Sequence, residues 1–235
     1  MADSLHEETS FHVILGEIIG LWVIANGGYY VIFPLLGLGL SYNTAPIAIA
    51  CYFFVWAGIS IFSFWDIFTR WLKVEHRIWV YIMWSLGSAS LIWALLYALS
   101  LLPILSGLHL APATDILFAS PWYFLPKSAE VLVQQILITT LVLELSFRFR
   151  SFKNVLIAYA LCFGGAHVLL FFFFSTTAAV YAATMMLAAL LSTFIFPYLI
   201  LRVRGGFVYT YLIHLLFYIF LAMALHAWPP PGYIA

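Results

Sequence analysis

The chain has 235 residues, equal numbers of basic and acidic side chains, and a composition that is 66% hydrophobic and 8% charged. A mean hydropathy of +1.08 exceeds what a soluble core needs, and zero net charge gives no electrostatic basis for holding nucleic acid. About 20 consecutive apolar residues span a bilayer. Several such stretches make this an integral, all-α, polytopic membrane protein.

The opening MADSLHEETS is acidic and lacks the basic n-region of a signal peptide. The apolar run after it is too long for an h-region, so it reads as a retained first helix; Glu7 and Glu8 read as solvated. Seven spanning helices are expected, at about 12–38, 45–69, 77–104, 127–147, 153–174, 177–201 and 207–227. Gly27, Gly28 and Pro34 predict a kink in the first. The longest loop, about 105–126, follows Pro103 and carries Pro112, Pro121 and Pro126. Its apolar, aromatic segment DILFASPWYFL suits the membrane interface. The chain thus divides into an N-terminal three-helix membrane region with a long interfacial loop (1–126) and a four-helix core (127–235).

Basic residues set the expected orientation. Arg70, Lys73 and Arg77 join helices two and three, Arg148, Arg150 and Lys153 join four and five, and Arg202 and Arg204 join six and seven. Of the nine Lys and Arg, Lys127 alone falls on the other side. The positive-inside rule then places the N-terminus in the cytoplasm and the C-terminus outside. Cys51 and Cys162 lie in apolar helices and read as small buried hydrophobes.

Three ionisable side chains interrupt long apolar segments: Glu130, His167 and His214. A charge at a helix centre costs about 2.5–3.5 kcal/mol on insertion scales. Each has a polar or aromatic residue four positions away on the same helix face: Glu130 with Gln134, Phe163 with His167, and His214 with Tyr218. Ser128, Glu130, Gln134 and Gln135 form a polar cluster on the outer half of helix four, and amides in membranes seek partners. Glu144 and Arg148 have the spacing of a local ion pair. His76, His109 and His226 fall near helix ends or in loops and call for no special role. A retinal protein is excluded, because Lys73, Lys127 and Lys153 all lie outside helix seven.

A glutamate can act as a general base toward water, and histidines can stabilise an oxyanion or bind a metal. His167 and His214 would be the ligands of a divalent metal if one were bound, although the sequence requires none. The same pair offers axial ligands for haem, or a place for a pigment. Glycines Gly164 and Gly165 beside His167 allow close approach of another helix or a substrate backbone.

Phe163-Gly-Gly-Ala-His167 matches an F-x-x-x-H motif, and His214 follows glycines, aromatics and an apolar run. With Glu130 opening helix four, the order and spacing over about 126–222 resemble the CAAX protease and bacteriocin-processing (CPBP, or Abi) family of intramembrane endopeptidases. That resemblance makes 127–235 a CPBP-like core and implies hydrolysis of a membrane-adjacent or lipidated peptide. It implies catalytic roles for Glu130, His167 and His214, supported by Gln134, Phe163 and Tyr218. The chain departs from the family where Ala129 replaces the first glutamate, Gln134 the arginine, and Tyr218 an Asn or Asp. These departures keep a second reading open, a non-catalytic subunit on the same scaffold that binds a membrane protein partner. Helix boundaries put Glu130 near the outer face, with His167 about 21 Å and His214 about 10 Å from their cytoplasmic ends at 1.5 Å per residue. The three therefore need not share one depth.

Overall fold

The computed structural model describes the backbone of residues 10–75, 78–100 and 121–227, and the side chains of 10–71, 78–98, 121–169 and 183–223. Every regular element among the described residues is helical. Among the described residues seven helices are long and apolar enough to cross a membrane: Phe11–Leu35, Pro46–Ser63, Ile78–Ala98, Pro121–Arg148, Phe152–Leu169, Ala183–Arg202 and Gly206–Met223. The N-terminal tail, most of the long interfacial loop, and the side chains of His76, His109 and His226 lie outside the described residues.

Span four is the axis of the bundle. Within its apolar window 83% of residues are buried, against 17–50% in the other spans. It is also the span richest in polar groups, with Lys127, Glu130, Gln135, Thr139, Thr140 and Glu144 all buried. The two properties have one cause: a polar side chain facing lipid stays unsatisfied, so the helix carrying most of them is enclosed by the others. Span two packs along it most extensively, and span seven also lies against it.

The kink expected in span one is a π-helical turn at Gly28–Ile32. The Tyr52 hydroxyl donates to the Ala25 carbonyl at 2.8 Å, and a Cβ on Gly28 would collide with that same hydroxyl. Glycine there admits the tyrosine that satisfies a carbonyl at the turn.

Three boundaries differ from the sequence reading. Helix two ends at Ser63, and a separate helix, Trp65–Glu75, follows. The sequence of this helix alternates aromatic residues with Asp66, Arg70, Lys73 and Glu75, an amphipathic pattern suited to the interface rather than the hydrocarbon. Helix four starts at Phe124, three residues early, which carries Lys127 and Glu130 inside the bundle. Between spans five and six helical hydrogen bonding is recorded through Gly165–Arg202, with no Gly or Pro between Ala166 and Phe196 to mark the change of direction. That segment is nevertheless not straight. A Cβ on Gly164 would lie 3.4 Å from Leu190 and Thr193, residues that a straight helix would place about 40 Å away. Phe152 meets Tyr198 and stacks under Arg202. The chain therefore folds back, and spans five and six are antiparallel neighbours. Cys51 is exposed and Cys162 half-buried, both as free thiols, so neither is a core residue.

One end of the bundle gathers the basic loops. Arg148 Nε donates to Glu144 at 2.7 Å, Arg70 lies 3.9 Å from the same carboxylate, and Arg148 stacks on Phe11. The turn from span six to span seven ends in two required glycines. Gly205 has φ +75°, and a Cβ on Gly206 would overlap the Leu199 carbonyl, so only glycine fits either place.

Candidate functional site

At the opposite end, Glu130 is 3% exposed and surrounded by donors. Lys127 Nζ lies 2.5 Å from Oε2, one helical turn before it. The Tyr42 hydroxyl donates to the same oxygen at 2.5 Å, and Gln134 Nε2 donates to Oε1 at 2.8 Å. The ammonium of Lys127 is in turn caged by aromatic rings: it sits 4.1 Å from the Tyr218 centroid, 5.3 Å from Tyr42 and 6.0 Å from Tyr123. A buried charge is tolerated when paired and hydrogen-bonded, and the ring faces add cation–π attraction. Tyr42 lies in the loop between spans one and two. Burial, and then the adjacent Glu130 charge, hold its hydroxyl well above the ordinary tyrosine pKa, so it serves as a donor.

Span seven joins the centre through Tyr218. The ring of His214 stacks on Tyr218 at 5.6 Å and 20°, and Phe196 from span six lies 6.0 Å from the same imidazole. The Nδ1 atom of His214 is enclosed and has no hydrogen-bond partner among the described residues. Deeper along the pair, Gln135 donates to Thr210 at 2.6 Å, and Tyr211 donates to the Ser128 carbonyl at 3.1 Å. The contacts Lys127–Tyr218, Gln135–Thr210 and Tyr211–Ser128 show spans four and seven running antiparallel and bring His214 toward the level of Glu130. The depth mismatch expected between Glu130 and His214 is thereby reduced. The early start of helix four moves Glu130 inward, toward the depth that span seven reaches at His214.

His167 belongs to a neighbouring wing. Its Nδ1 contacts the Phe163 carbonyl at 2.9 Å; a carbonyl only accepts, so Nδ1 carries a proton. Its ring packs 4.4 Å from Phe163, which stacks on Tyr159. The residues just before it, Ala160–Gly164, form a second π-helical turn, a feature frequent at functional sites. His214 lies within electrostatic reach of both Lys127 and His167. No hydrogen bond or ring contact among the described residues joins His167 to Glu130 or His214.

All three i,i+4 pairs singled out from the sequence are in contact, as is Glu144 with Arg148. Two members of the centre were missed. Lys127 entered the sequence reading only as a topology marker, although its place one turn before Glu130 was a usable signal. Tyr42 is 88 residues from Glu130 and left no local signal. No three His, Cys, Asp or Glu side chains converge as metal ligands among the described residues, so His167 and His214 provide at most two protein ligands there.

No family model matches the chain, and no curated protein or solved structure matches it. The CPBP resemblance therefore rests on the quoted residues alone.

Proposed function

We propose that the chain is a non-catalytic membrane subunit on a CPBP-like scaffold, built for partner binding or assembly, with the Lys127–Glu130 centre locking its helices. The observation that carries this reading is the engagement of Glu130 by three side-chain donors, which leaves about one of its four acceptor sites open. A general base must offer a lone pair to water within about 2.6–3.2 Å. Here an ammonium, a phenol and an amide already occupy both carboxylate oxygens. The cation that the family pattern places four residues after the glutamate comes instead from Lys127, three residues before it, and Ala129 stands where the family keeps its first glutamate.

The divergent intramembrane protease is the second reading, favoured by one observation. The enclosed Nδ1 of His214, unpartnered among the described residues, lies toward the level of Glu130, where a substrate carbonyl or a water could complete it. One experiment separates the two readings. The purified chain, E130Q, K127M and the double variant are melted in detergent and incubated with membrane-adjacent and lipidated peptides. The subunit reading expects both single variants to melt lower, the double to recover most of the loss, and no peptide to be cut. Cleavage by the wild type that disappears in a folded E130Q variant would establish the protease.

The gathering of Arg70, Arg148 and Arg202 at one end supports a cytoplasmic N-terminus and an external C-terminus. Tags at the two termini, probed with an impermeant protease on sealed cells, should be digested at the C-terminus only; digestion at the N-terminus reverses the assignment.

A further inference from the structure

Spans three and seven leave an open groove on the outside of the bundle, remote from the Glu130 centre. Its mouth lies at the basic end, where Arg204 and Tyr209 face Trp84, and encloses about 730 Å³. It continues along span three past Gly87, Ser88 and Leu91 as a second hollow of about 340 Å³, with Trp84 and Ser88 lining both parts. From Trp84 to Leu91 the groove runs seven residues, about 10 Å, inward from the charged end toward the middle of a roughly 30 Å hydrocarbon core.

Two features set this groove apart from ordinary lipid-facing surface. Arg204 has no acidic partner among the described residues, where the three ion pairs use Arg70, Lys127 and Arg148. The tight turn built on Gly205 and Gly206 fixes the backbone that presents it. Gly87 opens the floor, since a Cβ there would meet nothing within 4 Å. The result is a guanidinium at the membrane surface, two exposed aromatic rings beside it (Trp84 and Tyr209), and an open apolar strip of span three leading inward. That order of polarity is the order within a phospholipid.

We propose that this groove holds one anionic phospholipid, its phosphate on Arg204 and one acyl chain along Trp84, Gly87 and Leu91. Charge complementarity selects the occupant: a guanidinium binds a phosphate oxygen pair bidentately, and basic residues next to spans attract anionic headgroups. Interfacial Trp and Tyr sit at headgroup level. A partner helix would satisfy the apolar strip and leave the guanidinium unmatched.

The test uses the full-length chain in detergent, titrated with phosphatidylglycerol, with phosphatidylcholine of the same acyl chains, and with inorganic phosphate, while thermal melting and native mass spectrometry are followed. Phosphatidylglycerol should raise the melting temperature and add one lipid mass, and the other two should do neither. R204Q removes the phosphate contact and G87F blocks the strip; each should weaken the apparent affinity about fivefold or more while melting like the wild type without lipid. R150Q, which removes a basic residue outside the groove, should respond like the wild type. Equal stabilisation by phosphatidylcholine, stabilisation by phosphate alone, or a wild-type response in both R204Q and G87F would overturn the proposal. Should G87F melt low, R204Q decides alone.

Discussion

Glu130 and Glu144 are two carboxylates on one helix, 14 residues or about 21 Å apart, and both are 3% exposed. Glu144 is held by arginines that reach it from water, with side chains 52% and 31% exposed. Glu130 is held by a lysine that is itself 4% exposed, under three tyrosine rings. Burial of the carboxylate is the same; the wetness of its cation differs. An exposed arginine that loses its partner returns to solvent at little cost, whereas Lys127 has no solvent to return to. The difference separates an ion pair that fastens the bundle end from one that determines whether the interior can form.

The largest effect is expected at Lys127. Truncating one member of a buried pair costs about 3–5 kcal/mol, and replacing both is far milder. K127M and E130Q should each fall in that range, and the loss in their double variant should be well below the sum of the two. An additive double variant would break the comparison, because it would mean that the two groups do not stabilise each other. Next comes Y42F, which removes one donor to a charged acceptor, worth about 1.5–3 kcal/mol. The same variant sharpens the comparison through pH. The hydroxyl of Tyr42 ionises at higher pH in the fold than in the unfolded chain, so its contribution is complete below about pH 10 and is lost as pH rises above that value. Melting followed from pH 8 to 11 should therefore show an alkaline loss in the wild type that is reduced in Y42F; identical profiles would remove Tyr42 from the account. The smallest effect belongs to E144Q. Its partners are largely solvated, so about 0.2–1 kcal/mol is expected, shrinking further with added salt. A loss at Glu144 as large as that at Glu130, independent of salt, would erase the distinction.

Much of this arrangement was legible in the chain. Helical periodicity puts residues four apart on one face, so Glu130 with Gln134, Phe163 with His167, and His214 with Tyr218 were readable as pairs. Gly27, Gly28 and Pro34 announced the distortion of span one. The fold-back between spans five and six carried no glycine or proline signal, but the length of the apolar run already exceeded one crossing. By contrast, the role of Lys127 was obscured because its charge was read for orientation, which looks at loops rather than at what a helix interior encloses. The reading of Cys51 as buried failed for a related reason: in a membrane, an apolar face can meet lipid as well as protein.

The sequence by itself determined that seven apolar segments cross a membrane, where their basic ends lie, and which side chains are costly to place there. Those are local properties, set by composition and by the 3.6-residue period. Only the tertiary structure decided that span four is the axis, that Tyr42 caps Glu130 from 88 residues away, and that His214 comes toward the level of that carboxylate. These depend on antiparallel register between helices far apart in the chain. That register is fixed by a few enclosed polar contacts, such as Gln135 with Thr210, because within lipid those groups have no water to bond instead.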